Sequence, residues 1–257
     1  MKIISIMNNK GGVGKTSSVQ NVGACLARQG KRVLLIDIDA QANLTTSFGI
    51  DKYDVVNDSG DFCLGEFTFE QIALQAEGPR GYGIALIPAS DNLMKKERIL
   101  QGENMYQNYL RKRLRPLADQ FDYCLIDCPP ALGTLTVNAL YASTHFFVPL
   151  QAEYLAYEGI RSILNFTGEI SEDTGLVFGG VFATRYNPRE RRKLSRDLIA
   201  TTAEQLGDKY MQDAYIRVST VISEAQSAGQ DVFVYAPNSN AAHDYQELTR
   251  EIIQRTT

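Results

Sequence analysis

The stretch NNKGGVGKTSS, residues 8–18, sets Lys15 behind a run of glycines and directly ahead of two hydroxyl side chains, Thr16 and Ser17. This spacing fits a phosphate-binding loop of the form G-x-x-x-x-G-K-[ST]. In such a loop backbone N–H groups, here those of Gly11, Gly12, Val13 and Gly14, surround phosphate, the lysine reaches the β/γ oxygens and the hydroxyl binds Mg²⁺. Asn9 stands where the pattern begins with glycine, and asparagine is expected to serve because it tolerates left-handed backbone angles. The alternative is a glycine-rich turn without ligand; the intact Gly14-Lys15-Thr16 and the elements on either side argue against it. Lys10, five residues ahead of Lys15, is a second lysine that phosphate binding within one chain does not require.

Three aspartates stand at positions that complement such a loop. Asp37 and Asp39 close the apolar run LLIDIDAQ, and Asp127 closes YCLID before Cys128-Pro129-Pro130. A carboxylate at the carboxyl end of a strand can hold Mg²⁺, orient water or accept a proton. It can equally cap a helix or bond a loop. Asp39 has the spacing of a water-positioning group, Asp37 is open between metal and loop roles, and Asp127 has the form of a Walker B acid supporting Mg²⁺ or its water shell. The expected metal set is therefore Thr16, Asp37 and Asp127.

These residues need elements that bring strand ends together. Apolar runs at Ile3–Met7, Val33–Ile36, Ile84–Pro88, Tyr123–Ile126, Phe146–Leu150 and Val177–Ala183 alternate mostly with helix-length segments, the βαβ rhythm of a parallel sheet. The period predicts a helix from Thr16 to Gln29, with Val19, Val22, Cys25 and Leu26 inward and Gly30 as its stop. A last helix is expected over 241–253, packing through Tyr245, Leu248 and Ile252. Residues 51–83, rich in Gly and Asp, read as a peripheral excursion with a short helix near 69–76. The fold class expected is α/β, a P-loop NTPase-like, twisted, mostly parallel sheet flanked by helices on both faces, in one domain over 1–257.

Composition narrows the partners. The chain has 257 residues, 44% hydrophobic content and a formal charge of −4. Bulk positive charge is therefore no nucleic-acid signal, and DNA binding would need a local patch. Four cysteines without metal-ligand spacing fit a reducing, cytoplasmic compartment. The strand-like start at Lys2 argues against a secretion signal, a membrane span or a preceding DNA-reading domain. The ending LTREIIQRTT is too short and polar for an amphipathic membrane anchor. Neither His145 nor His243 suggests a metal centre.

Taken together, Lys10 to Thr16, Asp37-Ile-Asp39-Ala-Gln41 and Asp127-Cys-Pro-Pro130 resemble the deviant-Walker ATPases of the ParA/Soj/MinD group, closest to short ParA-type DNA-partition ATPases. The resemblance continues through VPLQAEYLAYEG (148–159), GGVFATRYN (179–187), ISEAQSAG (222–229) and VYAPNSNAAHDY (234–245). It implies that Lys10 crosses a nucleotide-sandwich homodimer to contact phosphate on the other subunit, that Lys15 binds phosphate in its own subunit, and that Asp39 positions the attacking water. It also implies adenine near Arg185 and the Pro237–Asn238 loop. Two departures stand out: Ala40 replaces a common proline, and Val218 and Val221 lie near positions where relatives carry basic DNA-contacting residues, leaving Arg217 as the one basic side chain there and a candidate DNA contact.

The resemblance implies an ATP- and Mg²⁺-dependent switch that binds nonspecific DNA as a dimer on the nucleoid and meets a ParB-like adaptor. The basic segment 185–196, with Arg189, Arg192, Lys193 and Arg196, and the run RKRLR at 111–115 are the candidate DNA surfaces. Charge runs are otherwise commonly solvated helix faces. Rival readings are a positioning ATPase for another cargo and a metabolic P-loop enzyme. A reductase of that last kind would need cluster cysteines beyond Cys124 and Cys128.

Overall fold

A computed structural model describes residues 1–77, 83–151, 156–186 and 193–257, with the backbone alone at 76, 77, 156, 193–196 and 212. The strands are β1 (Lys2–Ile6), β2 (Val33–Asp37), β3 (Leu74–Glu77), β4 (Gly83–Ile87), β5 (Tyr123–Asp127), β6 (His145–Leu150), β7 (Val177–Tyr186) and β8 (Tyr210–Arg217). They form one sheet in the order β3-β4-β2-β5-β1-β6-β7-β8. Every neighbouring pair is parallel except β3 with β4. The helices are α1 (Lys15–Arg28), α2 (Asn43–Ser47), α3 (Ser59–Leu64), α4 (Phe69–Ile72), α5 (Leu93–Gln101), α6 (Tyr109–Leu114), α7 (Thr134–Ala142), α8 (Ala156–Thr174), α9 (Lys193–Leu206), α10 (Thr220–Ser227), α11 (Val232–Tyr235) and α12 (Asn240–Thr256).

The inner strands are apolar on both faces, and helices cover both. In β2, Leu34 and Ile36 join a core with Leu93, Leu110, Leu135 and Ile163 of α5, α6, α7 and α8. Val33 and Leu35 face the other way, into a core with Val19, Val22 and Leu26 of α1 and Tyr245, Leu248 and Ile252 of α12. Those last three are at most 1% exposed, and full burial of a Leu or Ile side chain contributes about 1.5–3 kcal/mol. Gly23 lets α1 sit close on the sheet: a Cβ there would lie 2.7 Å from Leu35.

The α1 and α12 expectations hold to within a few residues, and Gly30 follows α1 with φ 78°. Two strands were not foreseen in the sequence. Leu74–Glu77 forms the antiparallel edge strand β3 where a helix to residue 76 is expected; α4 stops at Ile72. On the opposite edge β8 pairs with β7 through register shifts, so its side-chain alternation is broken.

Candidate functional site

The carboxyl ends of β1, β2 and β5 meet at the phosphate loop. Register pairs Ile6 with Asp127 and Asp127 with Asp37, so the loop leaving β1 lies beside Asp127, with Asp37 one strand further on. Gly14, at φ 90°, turns the chain directly into α1, and Gly12 has φ 74°. A side chain at Gly14 would have to take up left-handed angles that only glycine adopts without strain. Asn9 is not among the residues with positive φ. Left-handed tolerance is thus not what admits asparagine there; the glycines that follow take the turn.

Neighbouring strand ends brace the loop. Asn8 Nδ2 donates to the Pro149 carbonyl at 2.7 Å, and the Lys10 N–H donates to Asn8 Oδ1 at 3.0 Å. Gln151 Nε2 donates to the Gly12 carbonyl at 2.7 Å and Thr184 Oγ1 to the Val13 carbonyl at 2.8 Å. Gln151 and Thr184 are not among the site residues expected from the sequence. Their signal was positional, since each follows or ends an apolar run on the edge where ligands gather.

Lys15 is 7% exposed, and its Nζ donates to the Lys10 carbonyl at 3.0 Å. Burial lowers its pKa, opposed by the nearby charge of Asp127. Thr16 Oγ1 donates to Asp127 Oδ2 at 2.7 Å. Asp127 is fully buried and its Oδ1 has no hydrogen-bond partner. Burial, then repulsion from Asp37, pushes its carboxyl well above the ordinary range. A buried carboxylate oxygen left unmatched beside a threonine hydroxyl fits Mg²⁺ or its water shell. Mg²⁺ commonly takes one or two protein oxygens and completes its shell with phosphate and water.

Asp37, also expected as a metal ligand, has both of its oxygens bonded within the chain. Its Oδ2 accepts from the Thr45 N–H at 2.9 Å and the Thr45 hydroxyl at 2.8 Å, and its Oδ1 from the Asp39 N–H at 3.1 Å. Oδ2 holds the first turn of α2 and Oδ1 the loop that precedes it, and burial raises its pKa to about 6. Asp37 thus bonds the loop in this structure, one of the two roles its position allows. Asp39 is half-buried on the wall of a cleft of about 920 Å³ that also includes Gly11, Lys15, Thr16, Pro130 and Glu97. One of its oxygens accepts from the Gln41 N–H at 3.0 Å.

Other expected residues are not drawn into this cleft. Lys10 is exposed on the loop. Arg185, next to last in β7, is exposed with φ 49°, and Pro237 and Asn238 are exposed between α11 and α12; none of the three is on the cleft wall. Ser17, in contrast, bonds Gln226 of α10 at 3.4 Å, which brings Ser223 and Gln226 to the wall.

The basic surfaces separate as well. Arg189 and Arg192 lie outside the described residues, and Lys193 and Arg196 are in the first turns of α9. Arg217 Nε lies 3.0 Å from both oxygens of Asp244, which is nearly buried. The expected DNA cation at the end of β8 is thus already paired within the chain. Arg111 and Arg115 open on a groove beside Met1 and Ile3, at the amino ends of the strands and away from the phosphate loop. All four cysteines are buried and free, with burial pushing the Cys128 thiol up to about 12. Among the described residues no helix is long and apolar enough to cross a membrane.

Comparison with known proteins agrees with this geometry. The family model described as "AAA domain" (AAA_31) matches residues 1–176. The chain is 35% identical over 256 residues to the chromosome-partitioning ATPase Soj of Treponema pallidum, covering 99% of this chain and 98% of that protein. It is 36% identical over 260 residues to the chromosome partitioning protein ParA of Caulobacter vibrioides, covering 99% and 95%. Among solved structures it resembles cobyrinic acid a,c-diamide synthase of Mycobacterium smegmatis with bound ADP and magnesium, at TM-score 0.74 and 34% identity over 80% of this chain and 82% of that one. A loop that presents Lys15 and Thr16 to Asp127, on this sheet and with likeness along nearly the whole length, places the chain in the AAA-domain family of ParA/Soj-type ATPases.

Proposed function

We propose that this chain is an ATP-driven dimerisation switch that binds nonspecific DNA in its ATP state and releases it on hydrolysis, in the service of plasmid or chromosome segregation. The observation that carries the reading is the pairing of Thr16 with Asp127, whose second oxygen is buried without a partner. That arrangement suits a nucleoside triphosphate held with Mg²⁺. Magnesium, when bound, would supply positive charge against the charge of the phosphates. Lys15 leaves the Lys10 carbonyl to hold the phosphates, Thr16 and Asp127 would hold the metal or its water, and Asp39 orients the water that attacks the γ-phosphorus. Attack forms the new O–P bond as the bond to the ADP oxygen breaks, and the water's proton passes to solvent or phosphate.

Lys10 reaches the partner subunit's nucleotide in this reading. A cation supplied across a dimer stabilises transition-state charge as an arginine finger does, and makes turnover depend on assembly. Arg185 with Pro237 and Asn238 borders adenine. Arg189, Arg192, Lys193 and Arg196 supply positive charge for DNA, and a ParB-like adaptor accelerates hydrolysis.

DNA retention and dimer mass, measured with ADP, with ATP, and with Lys10→Ala and Asp39→Ala proteins, test the switch. We expect salt-sensitive retention with ATP alone, retention lost in Lys10→Ala and prolonged in Asp39→Ala. ATP-independent retention, or none at any salt, sinks the DNA mechanism. ATP-dependent dimers without DNA retention would favour a different cargo, and ATP-dependent amide formation would favour the chemistry of the synthase it resembles.

A further inference from the structure

The part of the chain around α3, in the excursion after Asp51 for which phosphate chemistry has no use, braces one wall of the cleft. Asp58 caps α3, accepting from the Gly60 N–H at 2.8 Å and the Asp61 N–H at 3.3 Å, while the Asp58 N–H donates to the Asp61 carboxylate at 2.8 Å. Both acids are buried. Their charge is met by Lys96 of α5, whose Nζ lies 3.1 Å from Asp58 and also bonds Asp61, and the Ser90 hydroxyl donates to Asp58. Burying such charges is costly unless they are paired and hydrogen-bonded, so this cluster pins α5 to α3 in one register.

The next residue on α5 is Glu97, which stands on the cleft wall. Its Oε1 accepts from the Leu135 N–H at 3.4 Å and would lie 3.2 Å from a Cβ placed on Gly133. Leu135 is in the first turn of α7, directly after the loop that leaves Asp127. The residue capping α7 is Gly133, and no side chain at that position bonds the helix's first amides. A carboxylate from another element takes over that task, satisfying an orphan donor and lying at the positive end of the helix dipole. Thr136 Oγ1 fastens the same loop by donating to the Ala131 carbonyl at 2.6 Å.

We propose that Glu97 is a positioning residue for ATP hydrolysis. It caps α7 across the cleft and so fixes the 128–133 loop after Asp127, while the Asp58–Asp61–Lys96 cluster fixes Glu97. This rests on the ATP-hydrolysing reading of the site and on nothing about DNA. The loop is anchored at one end by the sheet. Without Glu97 its other end is held by fewer contacts, and small misplacements near reacting groups are expensive in rate.

The test is steady-state ATP turnover without DNA or adaptor, in wild-type, Glu97→Ala, Glu97→Gln and Gly133→Ala proteins. Glu97→Ala should lower kcat by about five- to ten-fold, within the range that misplacement costs. KM for ATP should stay within about two-fold, since the phosphate loop is not touched. Glu97→Gln keeps an acceptor and should recover at least half of the loss. Gly133→Ala adds the Cβ that crowds Glu97, at φ −103° where alanine is unstrained, and should reproduce the defect by a second route. The proposal is overturned if Glu97→Ala and Gly133→Ala both keep wild-type kcat, if KM rises in step with the fall in kcat, or if Gln recovers nothing. A wild-type chain that binds ATP and never hydrolyses it would overturn the functional reading together with this one.

Discussion

The strand pair β2–β5 carries charge at both ends, and the two ends treat it in opposite ways. At the amino end, Arg32 and Asp122 precede the register pair Val33–Tyr123. There the guanidinium forks onto the carboxylate at 2.8 and 3.3 Å, the Arg32 N–H adds a third bond at 2.8 Å, and all of it is open to water. At the carboxyl end, Asp37 and Asp127 face each other as like charges in register, both fully buried. Asp37 is quieted by Thr45 and the Asp39 N–H, whereas Asp127 keeps one oxygen without a partner. One end is settled within the chain; the other is left in need of cations. The lesson is that a candidate site is marked by charge that the fold has not balanced, more than by charge itself.

The sharpest way to break this contrast is to remove the unbalanced end. Lys15→Ala or Asp127→Ala should lower ATP turnover by roughly 10²-fold or more, the scale for losing one group aimed at developing charge. Phosphate-release kinetics would show it. If Asp127→Ala turns over normally, the open oxygen has no role in the chemistry. Asp37→Ala should do the reverse, leaving three donors unsatisfied and costing on the order of 1–3 kcal/mol in urea unfolding, with a smaller loss of turnover than Asp127→Ala. Equal losses of turnover would erase the distinction between the two acids.

Arg217→Ala extends the comparison to the far edge of the sheet. It leaves the nearly buried Asp244 without its partner, so we expect a stability loss of about 1–3 kcal/mol with ATP-dependent DNA retention little changed. Lost retention at unchanged stability would reassign Arg217 to DNA.

Acid should separate the two ends most gently. The Arg32 fork holds Asp122 down at about 2, below its ordinary value, so the unfolded chain takes up that proton first. Its stabilising contribution is complete above about pH 4 and fades as pH falls toward 2. Burial holds Asp37 up at about 6; the folded chain takes up that proton first, so this group adds stability as pH falls from about 6 to 4. Thermal unfolding of magnesium-free protein would show Asp37→Ala flattening the second window and Asp122→Asn the first. The Asp122 effect should be the smallest of the set, because water screens that pair.

Much of this was legible in residue order. The phosphate loop is local chemistry: spacing, glycines and hydroxyls within one turn define Lys15 and Thr16 whatever surrounds them. Six strands were legible because burial on both faces makes them continuous apolar runs. β3 and β8 were not, since an edge strand of four residues and a strand paired through register shifts lack the pattern that betrays the others. Glu97, Gln151, Thr184 and Gln226 were invisible for a different reason. Each acts on the loop region from a distant stretch of chain, and no spacing connects Glu97 to Leu135 until α5 and α7 are packed.

The sequence by itself determined the phosphate loop, the acids at the strand ends, the α/β order of elements and the family likeness, because each is written in neighbouring residues. Only the tertiary structure decided what each acid does. Asp37, Asp39 and Asp127 have the same side chain, two of them in register, and what separates them is which donors the fold brings within reach. Thr45 arrives at Asp37, Gln41 at Asp39, and Thr16 reaches only one oxygen of Asp127. Hydrogen bonding and desolvation depend on through-space neighbours, and those exist only once the strands have been laid side by side.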